Sequence, residues 1–151
     1  MAGIYIHIPF CKSRCIYCGF YSTTLLDLRK KYINAVCREM ELRKNYIHEP
    51  FSTIYLGGGT PSLLDEAELT KLFLYINNVY DVDRNAEITM ECNPDDITPE
   101  FTNMLSRLPI NRVSMGAQTF ADSRLRLLHR RHNSDEVKHA VKLLRKQVIQ
   151  K

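Results

Sequence analysis

A chain of 151 residues, 44% hydrophobic and 25% charged, is about one domain's worth of sequence, and such a composition excludes a disordered segment. No apolar run approaches the roughly 18 to 20 residues of a membrane span, and no signal-peptide pattern opens the chain, so the sequence reads as cytoplasmic. The formal net charge of +4 comes from residues 122–151, which hold nine Lys/Arg against three Asp/Glu; this suits a solvated helix face or an anion-binding surface, and without a binding motif or interleaved aromatics it does not point to nucleic acid.

In chain order, Gly3 to Ile8 is a short strand-like run, β-branched at Ile4, Ile6 and Ile8. Directly behind it stand Cys11, Cys15 and Cys18, in the spacing Cys-x3-Cys-x2-Cys with no fourth cysteine nearby. Iron–sulfur clusters are normally held by four thiolates, so three from one tight loop would leave one iron of a [4Fe-4S] cube open to another ligand. Zinc could instead take the three thiolates plus His7, although His7 alternates with Ile6 and Ile8 along the strand. Disulfides would leave an odd thiol, and five cysteines fit a reducing compartment better.

Tyr32, Ala35, Val36 and Met40 then form a helical stripe, and Thr53 to Leu56 a second strand ending in Gly57-Gly58-Gly59-Thr60-Pro61. Three glycines let backbone N–H groups approach a ligand closely, and Thr60 adds a hydroxyl; a plain strand-ending turn is the alternative. The loop is neither a Walker loop nor a GxGxxG fingerprint. Asp65 with Glu68 reads as a capping box opening a helix that buries Leu69, Leu72, Phe73 and Ile76.

A third strand, Glu87 to Met90, runs into Glu91-Cys92-Asn93-Pro94. Thr98 and Pro99 start a helix that buries Phe101, Met104, Leu105 and Leu108. A fourth strand, Arg112 to Met115, leads to Gly116-Ala117-Gln118, and the last helix, from about Asn133, buries Val137, Ala140, Val141 and Leu144. Strand-then-helix four times over predicts an α/β fold of about four consecutive βα units with a parallel sheet. Ligands of such sheets collect at the carboxyl ends of the strands, where every unusual cluster in this chain falls. Glu91 can accept from hydroxyls or an ammonium, Gln118 can donate and accept, and Arg130, within His129-Arg130-Arg131-His132, can grip a carboxylate. Those two histidines could ligate iron or cap a helix. Cys37 and Cys92 read as buried small hydrophobes.

The run Cys11-Lys12-Ser13-Arg14-Cys15-Ile16-Tyr17-Cys18, with Gly57-Gly58-Gly59-Thr60-Pro61, Glu91-x-Asn93-Pro94, Gln118 and Arg130, resembles the radical S-adenosylmethionine superfamily. Within it the chain looks like the oxygen-independent coproporphyrinogen III oxidase family. Porphyrinogen oxidases of that family carry a further cysteine two residues past the third; here that residue is Phe20, the pattern of the HemW branch, regarded as haem chaperones. A short lead before the first strand favours the same branch.

The resemblance implies a partial TIM-type barrel, with 1–151 as the N-terminal part of the core domain, ahead of further βα units and a C-terminal domain. It makes Cys11, Cys15 and Cys18 ligands of a [4Fe-4S] cluster. Tyr5, Tyr17, Gly58, Gly59, Thr60, Glu91, Gln118 and Arg130 would contact S-adenosylmethionine, whose amino and carboxylate groups complete the cluster. A glycine commonly precedes the family's arginine; here His129 does. The partners implied are haem or porphyrin and a haem-acceptor protein, with porphyrinogen oxidation and a structural metal or cluster module as alternative functions. Open sheet edges further predict self-association.

Overall fold

The computed structural model describes residues 2–147, except the side chain of Gln147. The ends of the predicted 1–151 unit, including Lys151 of the basic stretch, lie outside the described residues.

Four strands, β1 (Ala2–Ile8), β2 (Phe51–Gly58), β3 (Val82–Cys92) and β4 (Arg112–Met115), form one sheet in the order β1-β2-β3-β4. Every pair is parallel, as the intervening helices require. Helices α1 (Arg29–Leu42), α2 (Glu66–Val79) and α3 (Pro99–Leu105) return the chain between strands; α4 (Asp122–Leu127) and α5 (Ser134–Gln147) follow β4. Among the described residues β1 pairs only with β2 and β4 only with β3, so the sheet is an open arc.

The pleat sorts the strands into two faces. Ile6, Ile8, Ile54, Leu56, Ile88, Met90 and Cys92 join Ile33, Leu69, Leu72 and Ile76 in one buried cluster, completed by Ala140 and Leu144 of α5. Each fully buried large aliphatic stabilises the fold by about 1.5–3 kcal/mol. On the opposite face Tyr5, Tyr55, Thr89 and Arg112 stand in register. Two residues further on, His7, Glu91 and Ser114 approach the carboxyl edge.

Helix starts follow the predicted chemistry. The Glu68 N–H donates to Asp65 Oδ1 (2.8 Å) and the Asp65 N–H to Glu68 Oε2 (2.9 Å), a complete capping box. Asp65→Ala is therefore expected to lower stability by about 1 kcal/mol, read as a lower urea midpoint at constant slope. Thr98 accepts from the Phe101 N–H (3.1 Å), with Pro99 as the first helical residue. Asn133 caps α5, its Oδ1 accepting from the Asp135 and Glu136 N–H groups (3.0 and 2.9 Å).

Two expectations are corrected. In α1 the buried stripe is Ile33, Cys37 and Met40, flanked by Tyr32 and Val36, while Ala35 faces solvent. A methyl side chain weighs little in an apolar pattern, and positions 33, 37 and 40 satisfy the helical period better. The segment after β4 is not a single helix: α4 precedes α5 and buries Leu125. Six residues are too short for periodicity to betray.

Candidate functional site

The loops leaving β1, β2, β3 and β4 meet in a cavity of about 240 Å³ at the carboxyl edge of the sheet. Cys11, Cys15, Tyr17, Cys18, Gly58, Gly59, Thr60, Glu91, Gln118 and Arg130 all line it. Tyr5 does not: it stacks on Tyr55 at 6.0 Å, one layer deeper on the same face. A larger space of about 440 Å³ beside β1 and α1 is walled by tyrosines and carries no thiol.

The cysteine loop is pinned at its base. Thr23 pairs with Phe10 as an isolated parallel bridge, its N–H donating to Pro9 O (2.7 Å) and its carbonyl accepting from the Cys11 N–H (2.9 Å). Arg14 donates to the Ser22 carbonyl across the loop. Cys11 is buried, Cys15 half-buried and Cys18 exposed. Thr60 Oγ1 donates to Cys11 Sγ (3.6 Å) and Arg130 Nη1 to Cys15 Sγ (3.5 Å), so two of the three sulfurs already carry a donor from another loop.

Gly59 lies against the end of β1, its N–H donating to Ile8 O at 2.7 Å. Gly58 has φ +111°, a conformation glycine adopts without penalty, and a Cβ there would stand 2.6 Å from the His7 ring. Its N–H donates to Glu91 Oε2 (3.0 Å), while Tyr55 donates to Oε1 (2.8 Å). Burial, helped by the Glu91 carboxylate, raises the Tyr5 and Tyr55 phenols above their ordinary value, so both stay neutral donors. Burial raises Tyr17 too, with Arg130 pulling against it and Cys15 adding to it.

Asn93, unassigned from sequence, bridges the site: its Oδ1 accepts from Arg130 Nη2 (2.9 Å) and its Nδ2 donates to Thr60 Oγ1 (3.3 Å). Arg130 Nη2 also donates to Gly116 O (2.7 Å), while its Nε is buried without a partner among the described residues. A Cβ on Gly116 would stand 3.1 Å from Gln118 Nε2 and 3.2 Å from Arg130 Nη2, so glycine leaves the room these two side chains use.

The turn that presents Arg130 is a Schellman motif closing α4. The Arg130 N–H donates to Leu125 O (2.9 Å) and the His129 N–H to Arg126 O (3.1 Å), with His129 left-handed at φ +55°. Glycine adopts that left-handed conformation without penalty. His129→Gly is expected to stabilise the chain by about 1 kcal/mol with Arg130 unmoved, read as a higher unfolding midpoint; a lower one would contradict the turn.

His132 Nε2 meets Ala117 O at 3.2 Å, and burial depresses its imidazole so that the neutral ring donates there. It ties the α5 entry to the loop of Gln118, itself left-handed at φ +61°. Neither histidine contacts a cysteine sulfur in the described hydrogen-bond network. Cys92 and Cys37 sit in the core, and burial pushes both thiols up.

No three His, Cys, Asp or Glu side chains among the described residues stand close enough to share a single metal ion. Both ring nitrogens of His7 are occupied, by Tyr5 (3.1 Å) and by Tyr21 O (2.9 Å). A zinc ion needs four donors about one point, whereas the ligands of a cubane cluster each hold a different iron. Three cysteines lining one cavity, with the Arg130 guanidinium beside Cys15 Sγ, fit the cluster's demand.

An open parallel α/β arc with a cysteine-lined cavity at its strand ends is the architecture of a partial barrel with its site at the carboxyl edge. Residues 5–150 match the family model described as "Radical SAM superfamily", and the chain belongs to that superfamily. It is 37% identical over 153 residues to the "Heme chaperone HemW" of Synechocystis sp., covering 97% of this chain and 37% of that one. It is 38% identical to the protein of the same name from Bacillus subtilis, over 91% of this chain and 37% of the relative. The chain thus spans little more than a third of the length of these relatives. Among solved structures, coproporphyrinogen III oxidase (HemN) from Escherichia coli, a radical SAM enzyme, superposes with a TM-score of 0.89 at 27% identity, over 98% of this chain and 35% of the other.

Proposed function

We propose that this chain is the cluster- and S-adenosylmethionine-binding N-terminal part of a HemW-like haem chaperone, a cytoplasmic protein that passes haem to respiratory proteins. The observation that carries the reading is the single cavity in which Cys11, Cys15 and Cys18 face Gly58, Thr60, Glu91 and Arg130.

Cys11, Cys15 and Cys18 would hold a [4Fe-4S] cluster, Arg130 would grip the methionine carboxylate, and Glu91 would accept from hydroxyl or ammonium donors. Gly58 and Gly59 would lend close backbone approach, and Thr60, Tyr17 and Gln118 hydrogen-bonding groups, with Tyr5 acting from one layer deeper through its hydrogen bond to His7. A reduced cluster bound here would supply one-electron cleavage of a sulfonium carbon–sulfur bond. The chain's own residues orient the ligand and hold the loop around it.

Identity to proteins named as haem chaperones favours that role, as does Phe20 two residues past Cys18, the pattern on which the sequence resembles that branch. The HemN superposition supports a second reading, oxygen-independent oxidative decarboxylation of coproporphyrinogen. A structural cluster module without S-adenosylmethionine chemistry is the third.

Anaerobic iron–sulfur reconstitution followed by electron paramagnetic resonance, with and without S-adenosylmethionine, separates the third reading from the others. A cluster signal altered by the cofactor is expected, and one indifferent to it would overturn the open-iron assignment. Stoichiometric haem binding in a spectral titration of the full-length protein, with no coproporphyrinogen turnover, supports the chaperone; turnover would reverse the order.

A further inference from the structure

Among the described residues, one buried carboxylate gathers three side chains and lies outside the residues assigned above. Asp96 closes the short 3₁₀ turn Pro94–Asp96 that follows β3, and its side chain is only 4% exposed. Its Oδ2 accepts from Ser62 Oγ at 2.7 Å. Its Oδ1 pairs with Lys12 Nζ at 3.1 Å and with Arg131 Nη2 at 3.4 Å. Arg131 Nη2 also reaches Asp95 Oδ2 at 2.8 Å.

Lys12 and Arg131 line the cavity themselves, and all three partners stand close in sequence to residues assigned above. Lys12 follows Cys11, Ser62 lies two residues beyond Thr60, and Arg131 follows Arg130. One carboxylate therefore fastens the β1 loop, the β2 loop and the α4–α5 turn to the end of β3. A buried carboxylate with two cations and a hydroxyl is well compensated, and removing its charge leaves the cations to find water instead. Lys12 is half exposed and can do so; Arg131, held also by Asp95, keeps one partner.

We propose that Asp96 is a positioning residue for the cofactor cavity, setting the Cys11 loop and the Arg130 turn against each other through Lys12 and Arg131. What distinguishes this role from plain core stability is what the three tethered segments carry: a cluster ligand, a sulfur donor and the carboxylate-gripping arginine. The assignment rests on the cofactor reading for its consequence, though not for its geometry.

The test uses Asp96→Asn in the full chain, which keeps an acceptor for Ser62 and removes the charge. Two readouts are taken beside the unfolding midpoint. In the apoprotein, the rate of Cys11 alkylation by iodoacetamide, mapped by mass spectrometry, is expected to rise several-fold, because Cys11 is held buried by this arrangement. In the reconstituted protein, S-adenosylmethionine affinity by equilibrium dialysis is expected to fall about tenfold or more, the range seen when a partner that orients a ligating group is removed. Iron per chain is expected to hold.

Arg131→Met should give a similar loss, and adding it to Asp96→Asn should cost less than the sum. Wild-type alkylation and affinity in Asp96→Asn would overturn the proposal, as would a lowered midpoint with both of those unchanged. If the unsubstituted protein ignores S-adenosylmethionine, the cofactor reading fails, and the alkylation rate still decides the role of Asp96.

Discussion

Gly59→Ala is expected to destabilise the fold by about 2–3 kcal/mol, the cost of forcing a methyl group into a packed interior that cannot give. A Cβ at this position would lie 2.8 Å from Phe10 O and Pro9 C and 2.9 Å from Ile8 O. All three are backbone atoms, so no rotamer change relieves the overlap. β1 cannot retreat either, because the Gly59 N–H to Ile8 O bond ties the two segments beyond the ladder. The displaced segment leads straight into Cys11, so iron bound per chain after reconstitution should fall together with the urea midpoint. Gly19→Ala is the matched control: a Cβ there meets nothing within 4 Å, and it should leave both readings near wild type. A neutral Gly59→Ala would show that the β1–β2 contact is looser than the structure has it.

Arg130→Met should weaken S-adenosylmethionine binding by about a hundredfold. A charge-assisted pair is worth roughly 1.5–3 kcal/mol, and about 1.4 kcal/mol is a factor of ten. The substitution also strips Asn93 Oδ1 and Gly116 O of their donor, so the β3 and β4 loops lose their common partner. Arg130→Lys keeps the charge without the fork and should recover only part of the affinity. Equilibrium dialysis on reconstituted protein supplies the number, and iron content near wild type is required for it to mean loss of the anion grip. Undiminished affinity in the methionine variant would remove Arg130 from the site.

Much of the architecture is legible in sequence because its signals are local. Ile4, Ile6 and Ile8 alternate as strand residues, Asp65 and Glu68 write out a cap, and Leu69, Leu72, Phe73 and Ile76 repeat at the helical period; each of these elements appears where the pattern places it. The shared cavity follows from the rule that parallel strands end on one edge, and Tyr17, the glycine loop, Glu91, Gln118 and Arg130 arrive there from five separate segments. What sequence does not reveal is contact between segments. Asn93 bridging Thr60 to Arg130, Tyr55 serving Glu91 from the neighbouring strand and Asp96 gathering Lys12, Ser62 and Arg131 all join residues more than 30 positions apart. No periodicity encodes such pairs. Tyr5 shows the converse: its strand and its face are readable, yet the layer at which it meets the site is fixed by the register of β1 on β2.

The alternation of Glu91 and Cys92 at the end of β3 fixes where this protein can absorb insertions. The carboxylate faces the cavity and the thiol the core only because their distance from the β2 pairing at Glu87 to Met90 has one parity. One added residue between Glu87 and Glu91 would exchange them, lodging a charge among Leu56 and Met90 and turning an unassigned thiol toward Arg130. The same addition at a loop tip changes only path length. Length variation in relatives sharing this chemistry should therefore collect in the loops and at the exposed amino-terminal half of β3, and the terminal strand residues should tolerate changes of side chain while refusing a change of count.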